Sequence, residues 1–199
     1  MVIGVDASRA FVAEKTGTEN YAYHLITHLL QLPEAKLHDF VLFTRPNAVL
    51  PKEIRHFANV VVCEIKLRYL WTQVGLAWQT WQRFQTPRNL GLFGSGVSYL
   101  DVLWIPAHTL PVLRNPKIKT VVTIHGLEYR YLKEYNNLLQ RWYLPLSTYY
   151  AAKQADRVIA VSESTKRDLL SETQIDTKKI IVIYEGVKLN SRLQMSGSS

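Results

Sequence analysis

The chain has 199 residues, which suits one α/β domain or one large domain with a short tail. Its hydrophobic fraction is 47 %, with 11 Tyr, 6 Phe and 5 Trp, and this composition excludes a disordered chain. The net charge of +8 favours an anionic partner, but the cations are spread along the chain and form none of the dense basic runs of a nucleic-acid tail.

Three features of the sequence bear on where the protein works. The single cysteine, Cys63, cannot form an internal disulfide, which fits a reducing compartment. Asp6 and Arg9 interrupt the apolar start of the chain, so the sequence does not predict a signal peptide. No uncharged apolar stretch approaches the ~20 residues needed to span a bilayer. We therefore expect a cytoplasmic protein, and a peripheral contact with the inner face of a membrane stays open.

Seven short apolar runs predict buried strands. In chain order they are residues 2–5, 40–44, 59–65, 102–105, 120–124, 157–161 and 180–184. The runs are continuous rather than alternating, as expected when helices cover both faces of a sheet. Helical patterns separate them, so the sequence predicts an α/β fold with a single doubly wound, mostly parallel, Rossmann-like sheet.

Two of the predicted helices have distinctive patterns. The first follows the stretch TGTEN and places four apolar side chains at helical spacing: Tyr21, Leu25, Leu29 and Leu32. The second covers residues 137–154 and contains Pro145, which should kink or divide it.

A tryptophan-rich stripe lies in the least regular part of the chain. Its members fall on one helical face: Trp71, Val74, Trp78 and Trp81. Core packing is the favoured interpretation. The alternative is an amphipathic surface that holds a lipid or a partner, because tryptophan prefers interfaces.

Polar and imidazole groups come directly after several of the predicted strands. His108 follows the fourth run, His125 and Gly126 follow the fifth, and Ser162 follows the sixth. Each histidine could be an ordinary structural residue, and Ser162 could simply cap its helix. Ligands of open parallel sheets bind beyond the carboxyl ends of the strands, so the coincidence of these groups at one edge predicts a site there.

Gly17 lies just before the first predicted helix. Free backbone N–H groups and the helix dipole attract anions at such a point, and glycine lets the backbone come close to them. The stretch matches neither G-x-G-x-x-G nor a Walker A loop. The sequence also lacks Cys/His metal spacing and a G-x-S-x-G nucleophile elbow, so we expect no metal and no cofactor.

Taken together, five stretches resemble the N-terminal half of family 4 (group 1) glycosyltransferases. In order, they are IGVDASR…TGTENYAYHLITHLL, LWIPAHTLPV, KTVVTIHGLEYRYLKEY, ADRVIAVSESTKRDLL and KIIVIYEGV. These are retaining, nucleotide-sugar-dependent enzymes of the GT-B fold. The resemblance covers residues 2–187, and ADRVIAVSESTKRDL and VVTIHGLEY are its most specific parts.

The resemblance implies roles for matching positions. The family's glycine loop approaches the donor diphosphate, which matches Gly17 with Thr16 and Thr18 beside it. The family's histidine lies near the transferred sugar, which matches His125, the expected catalytic residue. A neutral imidazole can donate and accept hydrogen bonds near pH 7. The remaining strand-end candidates are expected to line the sugar or acceptor cleft: His108, Gly126, Ser162 and Thr165.

The resemblance also implies a domain organisation. Residues 1–187 would form the acceptor-side Rossmann-like domain and residues 188–199 a tail. The family's second domain, with its basic pair and E-x7-E motif, has no counterpart in this chain, which should bind a nucleotide sugar weakly by itself. Many relatives also carry Asp where Gly126 stands.

We expect one of three functions. The first is transfer of a sugar, with retention, from a nucleotide-diphosphate sugar to a glycan, lipid-linked or small-molecule acceptor, with a C-terminal domain or partner chain completing the enzyme. The second is a non-catalytic module that binds a sugar or a partner. The third, a nucleic-acid or acidic-surface binder, rests on the net charge alone.

Overall fold

The computed structural model describes residues 1–86, 97–127 and 138–186, with the backbone alone for residues 138–142. The predicted tail over residues 188–199 lies outside the described residues.

Nine strands and five α-helices are formed by the described residues. The strands are Val2–Asp6 (β1), Asp39–Thr44 (β2), Val60–Glu64 (β3), Phe84–Gln85 (β4), Val97–Ser98 (β5), Val102–Ile105 (β6), Lys119–Ile124 (β7), Arg157–Ala160 (β8) and Ile180–Val182 (β9). The α-helices are Gly17–Gln31 (α1), Lys52–His56 (α2), Ala77–Gln79 (α3), Leu138–Gln154 (α4) and Glu163–Thr173 (α5). Short 3-10 helices occupy Pro33–Leu37 and Thr177–Lys179, and a π-helical turn at Trp71–Leu76 leads into α3.

Seven of the strands form one parallel sheet in the order β3-β2-β1-β6-β7-β8-β9. All seven predicted strands are therefore confirmed. β4 and β5 pair separately as a short antiparallel ribbon. The strand order reverses between β1 and β6, which makes the carboxyl ends of these two strands the point where an open α/β sheet binds ligands.

Each face of the sheet carries its own apolar core, because successive residues of a strand point to opposite faces. In β2, Leu42 joins one core and Phe43 the other. Ile26 of α1 packs in the first core, and Ala151 of α4 and Leu169 of α5 pack in the second. The predicted doubly wound α/β architecture, with helices on both faces, is therefore confirmed.

The first helix differs from its prediction in start and in buried face. It begins at Gly17 because Thr16 and Glu19 form a capping box. Its fully buried side chains are Ala22, Ile26 and Leu30. The predicted apolar stripe was thus displaced by one residue. Leu25 and Leu29 are only partly buried against the same core, and Leu32 is exposed.

The tryptophan-rich stripe is not a core stripe. Trp71 is 2 % exposed, whereas Trp78 is 66 % and Trp81 50 % exposed. The expected regular helix is replaced by a π-helical turn and the single turn of α3, so only Trp71 is directed into the core. The favoured core interpretation was therefore wrong for the other three members of the stripe.

Pro145 does not divide the helix that the sequence predicts over residues 137–154. α4 continues through Pro145 as one helix. Among the residues that the structure describes, no helix is both long enough and apolar enough to cross a bilayer.

Gly4 lies in the middle of the central strand, where the packing leaves no room for a side chain. A Cβ there would lie 2.7 Å from Leu100 Cδ1 and 2.9 Å from Phe43 Cε2, and both of these side chains are buried. We expect Gly4→Ala to lower the free energy of unfolding by about 1–3 kcal/mol through overpacking, measured by urea denaturation.

Gly17→Ala is the matched control, because a Cβ at Gly17 meets no atom within 4 Å. It should leave stability unchanged or slightly higher. Equal stability of the two variants would contradict the packing argument.

Candidate functional site

The strand ends predicted to form a site do meet at the carboxyl edge of the sheet. His125 follows β7 at the centre of this edge. Its imidazole centroid lies 5.6 Å from that of His108, which follows β6. Its backbone oxygen accepts a 3.2 Å hydrogen bond from the Thr165 hydroxyl of α5. The structure therefore brings three of the predicted residues into one cluster.

Both ring nitrogens of His125 are engaged by protein oxygens. Nε2 lies 3.0 Å from the carbonyl oxygen of Pro106, and Nδ1 lies 2.9 Å from Glu185 Oε1. A carbonyl oxygen only accepts, so Nε2 carries a hydrogen and donates it to Pro106. The contact at Nδ1 requires a proton shared between the imidazole and the Glu185 carboxyl group. A ligand hydroxyl can reach Nδ1 only after Glu185 moves away.

An aromatic side chain from α1 closes one side of the His125 imidazole. The rings of Tyr21 and His125 meet edge to face, with centroids 4.6 Å apart. The Tyr21 hydroxyl lies near Thr123 of β7, whose Oγ1 accepts from Trp104 Nε1 at 3.3 Å. Burial raises the pKa of Tyr21, against the lowering effect of Thr123. Tyr21 therefore remains a neutral hydrogen-bonding group beside the imidazole.

His108 is partly buried, with its Nδ1 fully enclosed, and it is held neutral. Burial, with the nearby His125 and Arg9, lowers its pKa from 6.5 to about 4. Its Nδ1 has no hydrogen-bond partner. A buried ring nitrogen without a partner costs free energy.

Ser162 performs the structural role considered for it. It is the N-cap of α5, and its Oγ accepts from the Thr165 backbone N–H at 3.0 Å. Its Oγ also lies 2.9 Å from Thr165 Oγ1. Ser162 thus orients the hydroxyl that contacts His125. Gly126 is buried directly after that histidine.

The three predicted phosphate-binding residues lie at the N-terminus of α1. Both the backbone N–H and the hydroxyl of Thr16 hydrogen-bond the Glu19 carboxylate, so Thr16 serves the helix cap. Gly17 faces an open cavity, and Thr18 lines a small crevice with Asp6 and Pro106. Only Gly17 and Thr18 are therefore placed to approach a ligand.

One cavity of about 410 Å³ joins the start of α1 to the segment after β9. It is lined by Gly17, Asn20, Tyr21, His24, His28 and Glu185, among others. The volume is in the range of small-molecule sites. Among the described residues, no cluster of three or more His, Cys, Asp or Glu could hold a metal ion.

Two residues of this site were not predicted as members. Glu185 directly follows the last predicted strand, so the strand-end rule places it at the same edge as His125, but the sequence assigned it no role. Tyr21 was placed on the apolar face of α1. Its contact with the imidazole depends on how the helix packs, which periodicity does not show.

The fold and the site together define a Rossmann-like α/β domain with a crevice at its switch point. Residues 15–191 match the family model described as Glycosyltransferase Family 4. The chain therefore belongs to glycosyltransferase family 4, as an N-terminal domain of the GT-B type.

Similarity to individual proteins is more distant. A glycosyltransferase from Rickettsia africae ESF-5, known from a crystal structure, shares 17 % sequence identity at a TM-score of 0.42. The match covers 94 % of this chain and 43 % of that one, so this chain spans less than half of its length. No curated protein matches the chain.

His108 makes folding stability depend on pH. Its folded pKa of about 4 lies below the ordinary value of 6.5, so the unfolded chain binds the proton first as the pH falls. The stability is fully present above pH 6.5 and is lost towards pH 4. We expect a loss of about 2 kcal/mol between about pH 7 and about pH 5, measured by urea denaturation.

His108→Leu is the control, because it removes this titration and leaves the others in place. One of these others is the buried Asp6, whose pKa is raised by burial. The wild-type loss should exceed that of the variant by about 2 kcal/mol over this interval. Parallel pH profiles would show that His108 is not buried as a neutral group.

Proposed function

We propose that this chain is the acceptor-side domain of a retaining glycosyltransferase. It would help to move a sugar from a nucleotide-diphosphate sugar to a glycan, lipid-linked or small-molecule acceptor. One observation carries the proposal: the N-terminus of α1, open at Gly17, and Glu185, which contacts His125 Nδ1, line a single cavity of a family 4 domain.

The N-terminus of α1 suits the donor diphosphate. α1 has 15 residues, so its dipole is well developed, and its first N–H groups lack helical partners. At Gly17 no Cβ blocks the approach of an anion, and nothing of the protein lies within 4 Å of the Cβ position. A negatively charged leaving group at this point is stabilised without a metal, by positioning and electrostatics.

The imidazole of His125 suits the sugar. Its Nε2 and backbone oxygen are fixed by Pro106 and Thr165, so the ring is held in one orientation. Glu185 is the exchangeable partner, because its side chain is 47 % exposed. When a sugar hydroxyl replaces the Glu185 oxygen, Nδ1 can hydrogen-bond the sugar while the acceptor oxygen approaches the anomeric carbon. The bond from that carbon to the diphosphate breaks while the bond to the acceptor oxygen forms, and the acceptor proton passes to an oxygen of the leaving diphosphate.

A variant at the helix start tests the donor role. Gly17→Val should weaken binding of nucleotide-diphosphate sugars by about tenfold or more, because a branched side chain occupies the phosphate position. Ligand-observed NMR with uridine, guanosine and adenosine diphosphate sugars measures this.

Gly17→Ala adds a single methyl group and should have a smaller effect. Melting temperatures separate lost binding from lost folding. Unchanged donor affinity in Gly17→Val would refute the assignment of the phosphate to this helix.

A variant at the imidazole tests the transfer role. His125→Ala in the full gene product should reduce sugar transfer by about a hundredfold or more, because the oriented imidazole is lost. The assay follows labelled sugar from the nucleotide to an acceptor fraction. His56→Ala is the matched control, since His56 is an exposed histidine of α2, outside the cavity.

Two outcomes would count against catalysis by His125. Lost transfer with an equally lowered melting temperature would make the histidine structural. Binding of a nucleotide sugar without turnover, in wild type and variants alike, would instead support a non-catalytic sugar-binding module.

A further inference from the structure

A second surface of the protein is apolar, exposed and unrelated to the crevice. It is formed by residues 66–83, 110–118 and 143–154, which we call the aromatic face. Five large apolar side chains of this face are at least 65 % exposed: Tyr69, Leu70, Trp78, Leu113 and Leu146. Elsewhere among the described residues, Tyr184 alone reaches that exposure. Apolar exposure is thus concentrated here, which marks an interaction surface.

Hydrogen bonds join the three segments into one surface. Gln73 binds the second segment twice, with Nε2 donating to Leu110 O at 3.3 Å and Oε1 accepting from Val112 N at 3.0 Å. Trp81 Nε1 donates to Leu113 O at 3.1 Å. A groove of about 700 Å³ runs between Gln73, Val112 and the exposed side of α4. The aromatic face is therefore a preformed part of the fold.

The charged side chains of the aromatic face are all cationic. Its three segments contain no Asp or Glu. They contain six cations: Lys66, Arg68, Arg83, Arg114, Lys117 and Lys153. Two of these cations lie over aromatic rings of the same face, Arg68 at 5.6 Å from the Tyr69 centroid and Lys153 at 5.7 Å from the Tyr149 centroid. Cationic side chains with apolar stems, placed beside Trp and Tyr, suit a partner that has an apolar interior and a negatively charged surface.

The aromatic face extends away from the crevice. α4 ends beside the amino edge of the sheet, where the Asp156 backbone N–H donates to Thr120 O at 3.1 Å. His125 and Glu185 lie at the opposite, carboxyl edge. A ligand or domain bound over the crevice leaves this end of the aromatic face uncovered.

We propose that the aromatic face docks the protein on a lipid bilayer that contains anionic headgroups. Trp78, Leu113 and Leu146 would enter the boundary between headgroups and acyl chains, and the surrounding cations would pair with lipid phosphates. Apolar insertion and charge attraction together give more stable attachment than either gives by itself. This inference goes beyond the proposed transfer reaction and does not depend on it.

Vesicle binding tests the proposal directly. The full chain is floated with vesicles of phosphatidylcholine, with or without phosphatidylglycerol, at low and at high salt. We expect binding to the phosphatidylglycerol vesicles, weakened by salt. The double variant Trp78→Ser/Leu146→Ser should bind about tenfold or more weakly, and Lys117→Glu about fivefold or more weakly.

Matched controls lie on the other face of the sheet. Leu32→Ser/Val49→Ser also removes two exposed apolar side chains, and Lys36→Glu makes the same change of charge. Both controls should bind as the wild type does. Acyl-chain-brominated phospholipids should quench the tryptophan fluorescence of the wild type more than that of the Trp78→Ser/Leu146→Ser variant.

Three results would overturn the proposal. The first is a wild type that shows no preference for phosphatidylglycerol. The second is a double variant that binds vesicles as well as its control. The third is equally tight binding to duplex DNA that the same variants weaken in parallel, because the face would then be a general polyanion site. None of these measurements depends on sugar transfer.

Discussion

The crevice of this protein depends on one reversal of strand order. From β1 the chain builds outward through β2 and β3, then returns to place β6 on the other side of β1. Connections on the two sides of such a reversal leave the sheet in opposite directions, so neither covers the carboxyl ends between them. The residues after β1 and β6 therefore flank an opening, and the N-terminus of α1 borders it.

Within this opening, His125 contacts residues that follow several different strands. Pro106 after β6 and Thr165 of α5 hold its ring and backbone, and Glu185 after β9 holds Nδ1. The imidazole is 11 % exposed and the Glu185 side chain 47 % exposed, so water screens the outer half of the pair. A contact screened in this way contributes about 1 kcal/mol or less. A ligand can displace Glu185 at small cost, whereas the contact with Pro106 remains.

The two candidate surfaces lie in different parts of the fold, and they differ in character: the crevice is mainly polar, whereas the aromatic face is mainly apolar. The crevice collects hydrogen-bonding groups around an open helix N-terminus, where the proposed donor diphosphate would bind. The aromatic face collects Trp, Leu and cations along α4 and the π-helical turn, as a lipid surface requires. Because α4 reaches towards the amino edge of the sheet, attachment through the aromatic face leaves the crevice open to water.

The strands, their parallel arrangement and the edge at which the site lies could all be predicted from the sequence. Continuous apolar runs can be buried only inside a covered sheet, and the residues directly after these runs must lie at one edge of it. His108, His125 and Thr165 could be expected to meet there for this reason. The resemblance to family 4 added their proposed roles, and the family assignment was confirmed.

The partners of these groups, in contrast, depend on how the elements pack in three dimensions. Glu185 reaches His125 across 60 positions of the chain, and no local pattern specifies that contact. The buried stripe of α1 was displaced because helix rotation is set by packing against the sheet, in addition to periodicity. The stripe from Trp71 to Trp81 became a surface because its backbone forms a π-helical turn rather than a regular helix, so side chains at helical spacing point in different directions. Predicting a buried face from periodicity assumes a regular α-helix, and this segment contains a π-helical turn instead.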